Sequence, residues 1–223
     1  MSFAVKVAGI QKVYYAERDP IFALKDVSFE VDRGEFLSIM GPSGCGKSTL
    51  LHIIGAMDRP TAGQAWIKDI PLHSLSEEEL TNVRRSQVGF VFQFFYLLPT
   101  LTIEENISLP LLLSKGKQAD PGRVLSLLDI VGLTERRRAK PNQLSGGEMQ
   151  RAALARAIVN TPPIVLADEP TGNLDSENGE VILKLLQQLS AEGTTVIMAT
   201  HSDGANAHAS RCLQLKDGSV VRS

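Results

Sequence analysis

The segment Gly41-Pro42-Ser43-Gly44-Cys45-Gly46-Lys47-Ser48 follows the pattern G-x-x-x-x-G-K-[ST]. Average residue usage makes a chance match in a chain of this length an event on the order of 1%. Glycines at such spacing permit backbone angles that point successive N–H groups at one anion. The helix-like run that begins at Ser48 and Thr49 adds its positive end to the same spot. Lys47 would set an ammonium on the outer phosphates of a nucleotide, and the Ser48 hydroxyl would ligate Mg²⁺. The plain alternative is a glycine-rich turn between a strand and a helix.

A second cluster closes the run Pro163-Ile164-Val165-Leu166-Ala167-Asp168-Glu169-Pro170. Its apolar residues do not alternate, which predicts a strand buried on both faces of a parallel sheet. Asp168 at the carboxyl end of that strand would supply an oxygen ligand to the metal beside the phosphate loop. Glu169 follows at once and is placed to activate a water. Taken alone, the pair could be two solvated carboxylates at a strand end.

The third cluster is Leu144-Ser145-Gly146-Gly147-Glu148-Met149-Gln150. Ser145 with Glu148 is a capping box opening a helix from Met149 to Val159. A cap accounts for Ser and Glu but not for the glycines, which weaken a first helical turn. They make sense if another body must approach the exposed N–H groups closely. Ser145, Gly146, Gly147 and Glu148 therefore predict a second phosphate-binding surface. One chain with two half-sites implies a complete site formed between two copies, as a homodimer closing on ATP.

Together these motifs resemble the ATP-binding cassette (ABC) ATPase family, over nearly the whole chain. The resemblance implies ATP hydrolysis with Mg²⁺ and assigns further residues. Gln93, after Val88-Gly89-Phe90-Val91-Phe92, resembles the loop glutamine that reaches Mg²⁺ and the attacking water. Asp175, in Gly172-Asn173-Leu174-Asp175, resembles the residue of the loop that crosses the dimer interface. His201 resembles the switch histidine that contacts the γ-phosphate. The family usually has Asp next, whereas this chain has Ser202. Tyr14 resembles the aromatic that stacks on adenine, with Tyr15 adjacent to it. Single residues of this kind are most often surface amides or half-buried imidazoles, and their order around the stronger motifs is what favours the functional reading.

The elements that must position these residues follow from pattern. A chain of 223 residues suffices for one domain with a full core. The predicted fold is α/β: a mostly parallel P-loop sheet with an antiparallel β flank and a helical insertion at 94–159. Residues 1–93 and 160–223 would form the nucleotide-binding core. Val27 to Val31 alternates, and Asp32-Arg33-Gly34-Glu35 predicts a hairpin into Phe36–Met40. Asp217-Gly218 predicts another hairpin. Ser76 with Glu79, and Thr102 with Glu105, mark helix starts. Gly116–Gly122 has the composition of a flexible loop. Arg136-Arg137-Arg138 with Lys140 reads as a solvated helix end, with lipid head groups the alternative.

Composition narrows the class. The net charge of −2 carries no nucleic-acid footprint. Two cysteines, Cys45 and Cys212, form no disulfide framework, which fits a reducing cytosol. The amino terminus lacks an apolar signal core. Clean apolar runs fall far short of the ~20 residues that span a bilayer. Membrane segments are thus expected on another chain, a permease, with this chain at the cytoplasmic face of the membrane. A soluble ABC protein acting on nucleic acid or the ribosome is the competing class, but repair-type members carry long coiled coils and translation-type members two cassettes. Phe90-Val91-Phe92-Gln93, Leu97-Leu98-Pro99-Thr100-Leu101-Thr102 and Asn106-Ile107-Ser108-Leu109-Pro110 further resemble the lipoprotein-release and macrolide-export branch. That resemblance implies a permease with an extracytoplasmic domain. Some of the run Phe94-Phe95-Tyr96-Leu97-Leu98-Pro99 must be core, but five such residues in a row are hard to bury completely. The resemblance implies that this segment lines the groove that receives the permease.

Overall fold

The computed structural model describes residues 3–15, 19–114 and 121–222. Of the expected flexible loop Gly116–Gly122, residues 116–120 lie outside the described residues.

The chain opens with β1 (Phe3–Tyr15) and β2 (Pro20–Asp32), paired antiparallel with Val5 opposite Val31 and Tyr14 opposite Ile21. β3 (Phe36–Met40) runs into the glycine loop, and α1 (Lys47–Ile54) leaves it. β4 (Ala62–Ile67) pairs with β1, and β5 (Ile70–Pro71) pairs with β4. Next come α2 (Glu77–Ser86) and β6 (Val88–Val91). Three helices follow: α3 (Ile103–Leu113), α4 (Pro121–Ile130) and α5 (Gly146–Ile158). β7 (Ile164–Asp168), α6 (Ser176–Ala191), β8 (Thr195–Thr200) and a short α7 (Asp203–Asn206) come after them. β9 (Arg211–Lys216) and β10 (Ser219–Arg222) form the hairpin expected around Asp217-Gly218.

The local signals act as cap chemistry requires. Ser76 with Glu79, Thr102 with Glu105 and Ser145 with Glu148 each form a reciprocal capping box, opening α2, α3 and α5. The first turn of α3 is held further by the carbonyls of Arg137 and Ala139, which accept from Glu104 and Ile103 N–H.

One expected pairing does not form. β2 and β3 belong to different sheets: the antiparallel sheet has the order β2-β1-β4-β5, the larger sheet β10-β9-β3-β8-β7-β6. The turn at residues 33–35 carries the chain between sheets. The reason lies in patterning. β3 is buried at four successive positions, so it needs neighbours and cover on both faces, whereas alternating β2 needs only one apolar face.

The larger sheet separates two cores, and successive residues of each strand feed opposite ones. Leu37, Ile39, Ile164, Leu166, Ile197 and Ala199 pack with α1 and the antiparallel sheet. Phe36, Val91, Val165, Ala167, Val196 and Met198 pack with α3 to α6. Among the described residues no helix is long and apolar enough to cross a membrane.

Leu166 is fully buried and touches the α1 side of the sheet. Leu166→Ala should destabilise the chain by about 2–5 kcal/mol through lost burial and the cavity left behind. Thermal melting without nucleotide reads it. An unchanged melting temperature would show that the centre of this sheet is not tightly packed.

Candidate nucleotide site

Parallel register brings three strand ends to one rim. Met40 of β3 lies opposite Thr200 of β8, and Asp168 of β7 lies opposite Ala199 of β8. Whatever follows those strands therefore converges: the glycine loop after β3, His201 after β8 and Glu169 after β7. The rim outside the carboxyl ends of parallel strands is where open α/β sheets bind ligands.

The glycine loop is built to bring backbone close. Gly46 caps α1 with φ 107°, and a Cβ there would sit 2.4 Å from the Ala23 carbonyl oxygen. A Cβ on Gly41 would meet the Leu215 carbonyl oxygen at 2.2 Å and Cys45 Sγ at 2.6 Å. Cys45, within the loop, is buried. Lys47 is only 6% exposed, and its ammonium donates to the Gly41 carbonyl at 2.7 Å and the Pro42 carbonyl at 3.2 Å. The same ammonium lies 3.5 Å from Glu169 Oε1. Ser48 Oγ donates to Asp168 Oδ1 at 3.0 Å. Burial is the largest influence on Asp168 and raises its pKa, against the opposing Ser48 hydrogen bond. Ser48 and Asp168 are hard oxygen donors, and no group of three or more His, Cys, Asp or Glu able to hold a metal occurs among the described residues. That sparse donor set fits a small hard cation that keeps waters and takes phosphate oxygens.

Glu169 stands at a strained backbone position, φ 45°, with its N–H donating to the Ala199 carbonyl at 3.0 Å. Its Oε2 lies 2.9 Å from His201 Nδ1, so Glu169 spans Lys47 and His201. Ser202, where the resembling family has Asp, caps α7 by accepting from Ala205 N–H at 3.3 Å. Gln93 Nε2 reaches to 3.0 Å of where a Gly172 Cβ would stand, so the glycine makes room for the amide. Asn173 Nδ2 donates to the Gln93 carbonyl at 3.0 Å. Asp175 caps α6, accepting from both the backbone N–H and the side chain of Asn178 at 2.8 Å.

Tyr14 and Tyr15 are separated by their surroundings. The Tyr14 phenol donates to Asp58 Oδ2 at 2.8 Å and also engages Thr49 on α1. Lys12 Nζ pairs with Asp58 Oδ1 at 2.6 Å and stands 4.8 Å from the Tyr14 ring centre. Burial, followed by Asp58, raises the Tyr14 pKa. Tyr15 is 82% exposed.

The α5 start is a separate surface. Ser145 Oγ accepts from Glu148 N–H, and Glu148 accepts from Ser145 N–H at 2.8 Å. That backbone hydrogen bond is the largest influence holding the Glu148 carboxyl below its ordinary range. Arg136 Nε lies 3.3 Å from Glu148, so one member of the basic cluster is tied to this cap; Arg137 faces Glu104 at 3.9 Å. The glycines differ. A Gly147 Cβ would sit 2.2 Å from Asn178 Oδ1, an intrachain demand, whereas a Gly146 Cβ would meet nothing nearer than 3.7 Å. No hydrogen bond joins Ser145–Glu148 to the glycine loop among the described residues.

Sequence reasoning missed the residues that hold these loops. Gln150 is fully buried and donates to the Phe92 carbonyl at 3.3 Å and the Pro170 carbonyl at 2.8 Å. Arg156 donates to the Phe95 and Tyr96 carbonyls. The available signal was a long polar side chain within the buried helix Met149–Val159.

Comparison with known proteins bears on the whole arrangement. A family model described as ABC transporter matches residues 24–172. An uncharacterized ABC transporter ATP-binding protein of Methanocaldococcus jannaschii, MJ0796, is 48% identical, over 98% of this chain and 95% of that protein. A macrolide export ATP-binding/permease protein of Bdellovibrio bacteriovorus is 45% identical, over 98% of this chain and 33% of that protein. A solved dimeric structure of MJ0796 in a post-hydrolysis state, bound to ADP and Pi, superposes with a TM-score of 0.92 at 46% identity, covering 98% of this chain and 97% of that one.

Asp168 generates a pH prediction. An acid whose folded-state pKa is raised binds its proton more tightly folded than unfolded. Its contribution to stability is therefore present at low pH and lost as pH rises from the ordinary carboxylate range through the raised value. Asp168→Asn keeps an oxygen for the Ser48 hydroxyl and removes the buried charge. Without nucleotide the variant should melt above the wild type at neutral pH, with the gap closing on acidification. No gap at neutral pH, or one that widens in acid, would contradict this account.

Proposed function

The chain belongs to the ABC transporter family of ATP-binding proteins, and from that membership we propose how two copies close on ATP, hydrolyse it and drive a separate membrane permease. The observation that carries the composite site is the division within one chain. Lys47, Ser48, Asp168, Glu169 and His201 interlock at one rim, while the capped N-terminus of α5 directs none of its hydrogen bonds there. In the closed dimer, ATP rests on Gly41–Thr49 of one copy and meets Ser145, Gly146 and Glu148 of the other. Asp175 lies in the loop between the copies, and Tyr14, steadied by Asp58, stacks on adenine.

Phosphoryl transfer to water demands positioning and charge neutralisation more than covalent chemistry. Lys47 presently satisfies its ammonium with two carbonyls. Phosphate oxygens are stronger acceptors, so the ammonium passes to them when ATP binds. Glu169 then loses the Lys47 contact and accepts a proton from the attacking water, with His201 holding its other oxygen. Ser48, Asp168 and Gln93 would hold Mg²⁺, which would supply neutralisation of the charge developing on the phosphates. Loss of the γ-phosphate removes the bridge between copies, a local electrostatic event with a global readout.

The permease meets the helical segment 94–159, which we propose moves as a subdomain. Phe94, Tyr96 and Leu98 are exposed, while Phe95 and Leu97 are half-buried, so the apolar run divides by alternation. The Phe95 ring points toward Gly146, which puts Phe95 among the packed residues of the run. Tyr96 borders a groove of about 420 Å³ lined also by Phe90, Phe92, Pro110 and Leu113 together with Arg84. This groove would receive a short segment of a permease, placing the chain at the cytoplasmic face of the membrane. The Bdellovibrio relative, named as a macrolide export ATP-binding/permease protein, supports a permease partner of the export type; we propose that this partner also carries an extracytoplasmic domain.

Two variants separate the half-sites. Lys47→Ala should lose binding of a fluorescent ATP analogue by the monomer. Ser145→Arg should bind it normally yet lose hydrolysis by at least about 10²-fold, the scale of one lost transition-state donor. Equal loss of monomer binding in both would mean that Ser145 serves its own chain's nucleotide. For the groove, Tyr96→Ser should leave ATP binding intact and weaken pull-down by the co-purified permease. A well-folded variant that still binds and responds to its permease would return Tyr96 to a packing role.

A further inference from the structure

The loop that follows Gln93 holds a backbone shape that its residues disfavour. Phe95 and Tyr96 are both left-handed, with φ 43° and 47°, where a side-chain Cβ crowds the next carbonyl. Consecutive non-glycine residues in that region persist only when their surroundings impose it. Here the Tyr96 N–H turns back onto the Phe94 carbonyl. The larger restraint comes from α5. Arg156 donates through Nη2 to the Phe95 carbonyl at 2.7 Å and through Nη1 to the Tyr96 carbonyl. No carboxylate pairs with Arg156 among the described residues, and burial lowers its pKa. A half-buried cation whose compensation is two carbonyls binds them more strongly than a neutral donor would.

The same helix grips the other side of Gln93. Gln150 Nε2 donates to the Phe92 carbonyl and to the carbonyl of Pro170, the residue after Glu169. Gln93 is thus suspended between two side chains of α5, and Arg156 also lines the groove assigned to the permease.

We propose that Arg156 is a positioning residue for hydrolysis: by fixing the Phe95 and Tyr96 carbonyls it sets where the Gln93 amide points. A segment docked in the groove then reaches the nucleotide site through this guanidinium. The inference rests on the reading of Gln93 as a residue that meets the metal or the attacking water.

The test is a double-mutant cycle on the full chain with Arg156→Gln, Gln93→Ala and both together. Steady-state ATPase rates are measured with fluorescent-nucleotide binding and melting beside them. Arg156→Gln should lower kcat by about 10- to 100-fold, the scale of a misplaced catalytic group, with KM for ATP within about twofold. The double variant should be no slower than Gln93→Ala. Arg156→Lys, which keeps a cation with one donor centre, should recover part of the rate, and it carries the test if Arg156→Gln fails to fold. Losses that multiply in the double variant, or an effect confined to KM, would overturn the role of Arg156. A wild-type rate for Gln93→Ala would instead overturn the reading of Gln93 on which it rests.

Discussion

β3, β7 and β8 are apolar on both faces, and only a parallel sheet covered on both sides buries such strands. That requirement aligns their carboxyl ends, with Met40 beside Thr200 and Ala199 beside Asp168. The candidate nucleotide site is a consequence of this alignment. Glycine loop, acidic pair and histidine are far apart in sequence, yet each follows directly from one of three adjacent strands. Two well-packed cores, one on each side of the sheet, keep those ends in place.

The site is held ready by charges that compensate one another. Lys47 is nearly buried and takes two loop carbonyls and one carboxylate; Glu169 takes Lys47 and His201; Asp168 takes the Ser48 hydroxyl. The two carbonyls on Lys47 have a counterpart in the phosphate oxygens of ATP, so nucleotide binding would exchange partners at that ammonium. The left-handed backbone of Glu169 and its bond to Ala199 fix the carboxylate independently of that exchange. On the far side, α5 joins the surface offered to the other copy with the loop carrying Gln93. In the proposed dimer α5 would therefore connect the ATP held by the other copy with the Gln93 loop of its own chain.

Much of this was legible in the sequence, where the cause is local. Capping boxes at Ser76, Thr102 and Ser145 depend on residues three apart, and each forms as expected. The buried strands announce themselves by lack of alternation. Pairing is a different matter: Val27–Val31 and Phe36–Met40 looked like a hairpin because the turn between them is short, but their partners lie elsewhere in the chain. Gly147 has a reason invisible in its own neighbourhood, the side chain of Asn178. The adjacent tyrosines look alike in the sequence, whereas their surroundings differ because Asp58 and Thr49 stand beside Tyr14. Gln150 and Arg156 were hidden for the same reason, since their acceptors are carbonyls of a distant loop.

The central claim is that ATP joins two copies and that Glu169 releases them by activating water. Sedimentation velocity of Glu169→Gln tests it most directly, because the amide keeps the side chain's shape while removing the base. With ATP and Mg²⁺ the variant should bind nucleotide, fail to turn it over and sediment as a stable dimer, returning to monomer when ADP replaces ATP. A Glu169→Gln protein that stays monomeric with ATP bound, or that hydrolyses ATP at the wild-type rate, would contradict the account.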